Sequence, residues 1–365
     1  MAVRALAACL LILIPTAAAA QEGALTRPAI EAVASVFTSS DHADDPFVFL
    51  DLTSTWRVHE RVDVLVRPYA RRLPGGDWDA LLYQAQVRYH PTAGVRLEAG
   101  IISSPIGLAA LELRPDLNPT VGYPFYYFAP LPPIDEHRNR LQLLSGGYPI
   151  GAMASWSGTW LDARAAVTDG TPARYRKTFG DGPGAMPQFI AGGGITPVPG
   201  LRVGAALATG RYRNGNEAYF EPFPAEASDE EDGDGYDEDH HGARARVLNI
   251  EAEYAVGHTR LSGEWVRDAF ETEGATAVAG GFYVQGVQTL TPRTFAAVRL
   301  THARAPLPLV APAARWEQTV AEVAGGVRLN PAFTLRAGYQ ASRRGADGPV
   351  QHAMLGSLVW ARRWF

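Results

Sequence analysis

Hydrophobic and polar residues alternate at a period of two along most of the chain, from about Ile30 to its end. Between Val62 and Ala70, for example, the even positions carry apolar residues, whereas Asp63 and Arg67 stand at odd positions. A period of two is typical of a β-strand with one apolar and one polar face. A half-buried strand of a soluble sandwich gives the same alternation, so one segment alone does not decide between the two environments.

The number of segments and their spacing add more information. Strands are predicted near 30–38, 47–58, 61–71, 80–90, 94–103, 140–156, 159–168, 187–196, 200–212, 245–256, 258–268, 277–290, 293–303, 316–328, 332–342 and 350–365. The connections between them are alternately short and long, as in outer-membrane barrels with short periplasmic turns and long extracellular loops. The pattern predicts an all-β protein, a closed transmembrane antiparallel β-barrel of about 16 strands.

Tryptophan positions support the same arrangement. The tryptophans near strand ends lie beside predicted short turns (Trp56, Trp156, Trp160) or beside predicted long loops (Trp78, Trp265, Trp316). Two aromatic girdles at the two membrane interfaces would give this distribution. Aromatic residues that fill the core of a sandwich would instead lie in the middle of the strands.

Residues 1–20 have the pattern of a secretory signal peptide. Arg4 precedes a short apolar segment, Pro15 interrupts it, and small residues lead to Ala20. The apolar segment is too short to span a bilayer, which takes about 20 residues. We therefore predict cleavage after Ala20 and a single barrel domain over 21–365.

Composition narrows the class of protein. Of the 365 residues, 47% are hydrophobic and 19% are charged, and the mean hydropathy is -0.09. The mature chain has no further apolar run of about 20 residues, which argues against a helical transporter. The apolar content excludes a disordered chain, and the charge is not basic enough to indicate a nucleic-acid partner.

Two short stretches resemble a known family. The chain ends in an aromatic residue, Phe365, preceded by alternating apolar residues, which is similar to the C-terminal signature of bacterial outer-membrane barrels. Residues 98–107, with Pro105 and Gly107 after the strand, resemble the segment that leads into the third loop of phosphate-selective-type porins. The chain as a whole resembles the Gram-negative outer-membrane porins, nearest to that family. It departs from the family's lysine-rich lumen, because Lys177 is its only lysine.

The resemblance implies a protein of the cell outer membrane that contacts outer-membrane lipid and assembles as a homotrimer. The polar strand faces supply the candidate pore lining: Arg57, Arg67, Arg88, Arg96, Glu98, Arg164, Arg202 and Arg260. Further charged residues on these faces are Arg61, Arg71, Arg299, Arg336, Asp51, Asp63, Asp162, Glu251, Glu253, Glu264 and Glu322. Opposite charges on facing walls of a narrow pore sort permeants by charge. The alternative for each residue is a salt bridge in the wall that plays no part in selectivity.

The predicted loop 104–139 is unusual in its seven prolines and its aromatic run at 123–128. Exposed apolar patches of this size usually pack against something. We therefore expect the loop to fold into the barrel as a constriction. Its candidate residues are Glu112, Arg114, Asp116, Tyr123, Tyr126, Tyr127, Asp135, Glu136 and Arg138. The alternative is a loop that packs on a neighbouring subunit.

The predicted loop 213–244 holds nine acidic residues within 226–239. Its Asp-Gly repeats do not fit the calcium-loop pattern, because Asp237 stands where that loop needs glycine. We expect a solvated extracellular loop and no metal site. The rest of the mature chain is slightly basic once this loop is set aside, which favours a weak anion preference.

No catalytic motif is found: the chain has no G-x-S-x-G, and its only adjacent histidines are His240 and His241. The glycines at 192–194 lie within a predicted strand and indicate a close approach of a side chain or loop to the wall. We expect a protein that is not an enzyme, has no cofactor and acts as a passive diffusion channel for small hydrophilic solutes or ions. The alternatives are a non-conducting outer-membrane barrel with a surface binding or structural role, and a soluble secreted β-protein.

Overall fold

A computed structural model describes residues 28–40, 43–108, 114–124, 146–169, 187–211, 244–272, 275–306 and 315–364. These residues form 16 β-strands. The strands are β1 (Ala29–Ser39), β2 (Phe47–His59), β3 (Val62–Arg72), β4 (Trp78–Thr92), β5 (Val95–Ile101), β6 (Ile150–Ser157), β7 (Leu161–Asp169), β8 (Pro187–Val198), β9 (Leu201–Arg211), β10 (Arg244–Val256), β11 (Thr259–Thr272), β12 (Ala275–Thr291), β13 (Thr294–Pro306), β14 (Arg315–Arg328), β15 (Phe333–Arg344) and β16 (Val350–Trp364).

The strands form one closed antiparallel barrel. Each strand pairs with its neighbours in sequence, and β1 pairs with β16 from Ile30 opposite Trp364 to Ser39 opposite Leu355. Closure leaves no sheet edge, so the backbone groups of the wall are paired within the protein, as a hydrocarbon environment requires. The prediction of a closed, all-β barrel is confirmed. No helix in the described ranges is long and apolar enough to cross a membrane.

Alternation sends apolar side chains outward and polar side chains inward. In β10, Leu248 and Ile250 are exposed on the outer surface, whereas Asn249 and Glu251 are buried inside. An outer face covered with exposed aliphatic residues is the surface that lipid tails solvate. The alternation in the sequence therefore divides the chain between a lipid face and an inner face.

The interior is divided along the barrel axis as well. Charged residues concentrate in the half near the short turns, which we call the inner half. In the half near the long connections, the outer half, most inward-facing residues are apolar and buried in one continuous cluster. Its large buried aromatic residues on the strands are Phe37, Phe47, Phe49, Tyr69, Tyr83, Phe270 and Tyr283.

Strand β4 differs from the predicted alternation. Its pairing with β3 shifts at Tyr83, because Arg67 lies opposite Gln84 while Pro68 lies opposite Leu82. This bulge inserts one residue, which reverses the faces of the positions before it. A regular alternation over 81–89 would place Tyr83 on the outer apolar face with Val87 and Tyr89. Instead, Tyr83 is buried in the interior and Leu82 is exposed.

The long third connection also differs from its predicted bounds. The strands on either side of it end at Ile101 and begin at Ile150, whereas the sequence predicts a loop over 104–139. Gly146 and Gly147 have positive φ angles of 70° and 86°, which a strand backbone does not adopt. Pro149 follows them and has no N–H for a ladder. These residues explain why β6 does not extend backward over 146–149.

Two further predictions concern the ends of strands. Trp316 does not join the outer aromatic girdle, because it lies opposite the buried Ala305 and packs against the interior cluster. Arg61 lies in the turn between β2 and β3 and not on a strand face. The predicted signal peptide 1–20 lies outside the described residues. So does the predicted loop 213–244, except for its last residue, Arg244, which begins β10.

Candidate pore lining and loop-docking site

Residues 118–122 of the third connection lie inside the barrel against β13, β14 and β15. The Oε1 atom of Glu322 accepts hydrogen bonds from the backbone N–H groups of Val121, at 2.7 Å, and Gly122, at 3.0 Å. The guanidinium of Arg299 donates to the carbonyl of Gly122 at 2.8 Å. A carboxylate and a guanidinium on adjacent strands thus bind both polarities of one short backbone segment.

Asn118 connects this segment to a third strand. Its side-chain oxygen accepts from Arg299 at 2.6 Å, and its backbone carbonyl accepts from Arg336. The side-chain amide of Asn118 in turn donates to the carbonyl of Gly122 at 2.7 Å. Arg336 is held from the other side by Ser357, at 3.0 Å. We call Arg299, Glu322 and Arg336 the docked wall.

These contacts confirm the inward fold of the third loop for the described part of it. The backbone of Leu108 gives a second attachment, because its N–H donates to Glu264 Oε2 on β11 at 2.9 Å. The other oxygen of Glu264 accepts from Asn249 at 2.9 Å. The connection leaves the wall at β5 and therefore reaches strands on another side of the barrel.

Arg114 and Asp116, two of the predicted constriction residues, pair with each other. Arg114 donates to both carboxylate oxygens of Asp116, at 2.9 and 2.7 Å, and to Glu31 at 2.7 Å. Burial alone would lower the pKa of Arg114, but these hydrogen bonds and charges outweigh it and raise the pKa above its usual value. Tyr123 packs edge-on against Phe49, with ring centroids 6.3 Å apart. The other predicted constriction residues, Glu112, Tyr126, Tyr127, Asp135, Glu136 and Arg138, lie outside the described residues.

Arg67, one of the predicted pore-lining residues, is buried on the inner face of β3. It forms an ion pair with Asp51 at 2.5 Å and donates to the hydroxyl of Tyr148. Its guanidinium also lies 5.5 Å from the ring centroid of Tyr83 and 5.2 Å from that of Tyr148. The charge of Arg67 is thus matched inside an aromatic cluster between the wall and the end of the third connection.

The first charged group of the inner half joins residues of β2, β3 and β4. Arg57 donates to Asp63 at 2.9 Å, and Asp63 also contacts His90 at 3.2 Å. The arginine is more than half exposed and the carboxylate is mostly buried.

Arg88, Arg96 and Glu98 form a second charged group on β4 and β5. Glu98 is buried between the two arginines, with Arg88 at 3.1 Å from one oxygen and Arg96 at 3.3 Å from the other. The group has two positive charges and one negative charge, and the arginines are the exposed members.

The third charged group lies on β7, β9 and β10, and we call it the open wall. Arg202 binds both oxygens of Asp162, at 2.8 and 2.9 Å, and donates to Glu251 at 2.7 Å. Arg164 donates to the same oxygen of Glu251 at 3.0 Å. Glu251 is buried, whereas both arginines are partly exposed.

Glycines of β8 make room for these arginines. A methyl group on Gly192 would lie 3.1 Å from Arg164 Nε, and one on Gly194 would lie 2.8 Å from Arg202 Nη2. The predicted close approach of side chains to the wall at 192–194 is therefore confirmed. The guanidinium groups lie along the wall and do not project across the barrel.

Arg260, the last of the predicted pore-lining residues, lies near the short-turn end of β11 between Ala255 and Val287 and is exposed. That these residues contact a permeating solute stays a prediction. Sequence reasoning missed Asn118, Gly122 and Tyr148, which bind the wall, and Thr120, which bonds to Asn118 and Gly122 within the loop. Their only sequence signal is a position within the proline-rich connection.

No family model matches the chain, and no curated protein matches it in sequence. Solved structures match it in fold. The anion-selective porin from Comamonas acidovorans is 9% identical, with 93% of this chain and 100% of that chain covered and a TM-score of 0.56. A loop L8 deletion mutant of OmpT, an outer membrane protein of Vibrio cholerae, is 10% identical, with 94% and 100% covered and a TM-score of 0.56. The trimer form of in-vitro folded OmpT from the same organism is 10% identical, with 93% and 98% covered and a TM-score of 0.54.

At such low identity these likenesses establish the fold. The closed barrel of 16 strands, its apolar outer surface and its long inward-folded connection are those of a porin-like outer-membrane β-barrel. The chain is a barrel protein of the outer membrane.

Proposed function

We propose that this chain is a passive diffusion channel for small hydrophilic solutes or ions, with a weak preference for anions. The observation that carries the proposal is the unequal exposure of the charges in the inner half. Arg57 is 54% exposed and its partner Asp63 12%, and Arg96 is 45% exposed and its partner Glu98 2%. A solute in this half would meet guanidinium groups more than carboxylates.

The open wall follows the same rule in part. Arg202 is 22% exposed and Glu251 is fully buried, although Asp162 is as exposed as the arginine that it binds. Charges that line a confined aqueous space raise the local concentration of counter-ions. Because the carboxylates of Glu98 and Glu251 are covered by their own arginines, the pairing leaves a positive surface. This surface supports an anion preference that is modest, since every arginine named here is still paired.

A planar-bilayer measurement tests the proposal. The full chain should give stepwise conductance, and its reversal potential in a potassium chloride gradient should have the sign of anion preference. In R57Q/R96Q the preference should weaken or reverse, because the two most exposed guanidinium charges of these pairs are gone. Conductance with a cation preference in the unmodified protein would contradict the selectivity but not the channel.

The buried apolar residues of the outer half favour a second candidate function. Phe47, Phe270 and Tyr283 are almost fully buried on the inner face, and an apolar interior of this kind fits a filled lumen. A non-conducting barrel would then act at the cell surface as a binding or structural protein. Folded protein that inserts into bilayers but gives no conductance steps would favour this candidate over the channel.

We also propose a homotrimer and no catalytic activity. The trimer rests on the resemblance to porins and on the trimer form of the similar OmpT structure. Native mass spectrometry of the detergent-extracted protein tests it, and a mass of one or two chains would contradict it.

A further inference from the structure

The outer surface of β10 to β15 carries an excess of positive charge near the long connections. Outward-facing arginines of the described residues here are Arg244, Arg246, Arg267, Arg304, Arg315 and Arg343, against the acids Glu271 and Glu317. Only one of these acids, Glu271, forms an ion pair within the described residues, with Arg246 at 3.1 Å. On the other side of the barrel, Arg72 of β3 is paired with Asp45 at 2.7 Å. Arg72 is therefore matched by a carboxylate, whereas Arg267 and Arg304 on β11 and β13 form no such ion pair with a described residue.

Two of these arginines stand at the same level around a glycine. In the register of the sheet, Arg267 of β11 lies opposite Gly280 of β12, and Gly280 lies opposite Arg304 of β13. Adjacent strands are about 4.8 Å apart, so the two arginines start about 10 Å from each other. Gly280 places no side chain between them, and the surface has a gap flanked by two guanidinium groups.

Neither arginine forms an ion pair with a described residue, although Glu317 of β14 lies opposite Arg304 in the register of the sheet. Arg267 and Arg304 are exposed, and neither makes a hydrogen bond or ion pair with any described residue. In this they differ from Arg299 and Arg336 inside the barrel, which bind the third connection. Both outer arginines are available to a ligand outside the wall.

The neighbouring residues fix the depth of this gap in the membrane. One outward-facing position nearer the short turns, Trp265 lies opposite Phe282, and Phe282 lies opposite His302 with ring centroids 5.5 Å apart. One position further in, Val284 and Leu300 are exposed aliphatic residues. Aromatic residues mark the boundary between lipid tails and headgroups, so the arginines lie at the level of the headgroups.

We propose that Arg267 and Arg304, on either side of Gly280, bind the phosphate of a phosphorylated lipid in the outer leaflet. Arginine forms paired hydrogen bonds with phosphate oxygens, and two guanidinium groups on long side chains can converge on one phosphate. The long connections of such barrels face the cell exterior, which puts the site in the leaflet that faces outward. The acyl chains of the lipid would lie on Val284 and Leu300.

The test uses the full chain in detergent with bisphosphorylated lipid A and with lipid A from which both phosphates have been removed. Native mass spectrometry measures the fraction of protein with bound lipid. The unmodified protein should bind the phosphorylated form more tightly. In R267Q/R304Q this binding should weaken roughly 10- to 30-fold, since each basic residue near an anionic headgroup contributes a factor of about five.

A matched control removes two positive charges from the short-turn end, where Arg293 and Arg362 are exposed. R293Q/R362Q should bind the phosphorylated lipid as the unmodified protein does. Heat-modifiable migration on gels checks that both double variants fold. Equal lipid binding by R267Q/R304Q and the unmodified protein, or equal loss in the control, would overturn the proposal.

Two more measurements distinguish a lipid site from a site for free anions and from a change in the pore. Binding of inorganic phosphate alone with the affinity of the lipid would identify a site for free anions and contradict a lipid site. Conductance of R267Q/R304Q in bilayers should equal that of the unmodified protein, because both arginines point away from the lumen. The lipid site can thus fail while the channel stands, or stand while the channel fails.

Discussion

The docked wall and the open wall both consist of arginines and carboxylates, but these residues have different binding partners. In the docked wall, the two arginines and the glutamate are buried and bind the backbone of residues 118–122. In the open wall, Arg164 and Arg202 bind carboxylates on β7 and β10 and stay partly exposed. In these two walls the role of an arginine goes with its partner: those that bind the loop backbone hold the loop, whereas those paired with wall carboxylates stay partly exposed to the lumen.

Of the substitutions considered, removal of Glu322 from the docked wall should have the largest effect on stability and conductance. Glu322→Ala leaves the N–H groups of Val121 and Gly122 without their acceptor, and Arg299 and Arg336 lose a neighbouring negative charge. We expect the free energy of unfolding to fall by about 3 kcal/mol and single-channel conductance to rise as the loop is released. Urea unfolding in detergent and bilayer recordings measure the two effects.

Glu322→Gln is the matched control for that experiment. Both backbone N–H groups bind the same atom, Oε1, and a glutamine oxygen can still accept both bonds. Its stability loss should therefore be clearly smaller than that of Glu322→Ala. Equal losses would mean that the charge of Glu322, and not its hydrogen bonds, holds the loop.

A methyl group at the centre of the docking contact should have the next largest effect. In Gly122→Ala the new carbon would lie 2.9 Å from Glu322 Oε2. The overpacked contact should cost about 1–3 kcal/mol and move conductance in the same direction as Glu322→Ala. Gly325→Ala on the outer face of β14 is the control, because the nearest atom to its new carbon is 3.9 Å away; it should change stability by less than about 0.5 kcal/mol.

The open wall should respond in selectivity more than in stability. In Arg202→Gln, Glu251 keeps Arg164 as a partner, so we expect a loss of only about 1 kcal/mol. The reversal potential should move toward cations, because Asp162 and Glu251 lose a shared counter-charge. Arg202→Lys keeps the charge without the planar fork and should keep most of the selectivity. A reversal potential that is unchanged in Arg202→Gln would make the open wall a structural ion-pair group only.

The smallest loss of stability is expected for Gly194→Ala, beside Arg202 of the open wall, and Gly193→Ala is the comparison variant. In Gly194→Ala the new carbon meets the end of the flexible Arg202 side chain, at 2.8 Å, which can move away at a cost within about 1 kcal/mol. In Gly193→Ala the new carbon would meet the backbone carbonyl of Asp162 at 2.4 Å. We therefore expect Gly193→Ala to cost more stability without a change of reversal potential. Gly194→Ala should cost less stability and shift the reversal potential.

The alternation of apolar and polar residues is sufficient to predict which face most strand residues of the wall occupy. The alternation of β3 assigns Asp63 and Arg67 to the inner face, where both are found. The same reasoning fails at Tyr83, because a bulge opposite Pro68 of β3 adds one residue to β4 and reverses the faces before it. It fails again at 146–149, where positive φ angles at two glycines end the strand pattern.

The docking site was beyond the reach of sequence reasoning for a different reason. The prolines of the third connection indicate a stiff segment that packs somewhere, but Val121 and Glu322 are about two hundred positions apart. Arg299, Glu322 and Arg336 were recognised as inward-facing charges, like Arg164 and Glu251. Nothing local separates an arginine that anchors a loop from one that faces the lumen, since the difference is made by a distant backbone.

The pairing of β1 with β16 sets an order on assembly. The first strand finds its final partner only when the last strand is present, since Ile30 to Ser39 pair with Leu355 to Trp364. Until then, β1 carries a row of unsatisfied N–H and C=O groups, which invites pairing with other chains. The barrel cannot become a sealed wall in lipid in stages, so insertion and closure have to be completed together, after the C-terminal strand has been delivered to the membrane.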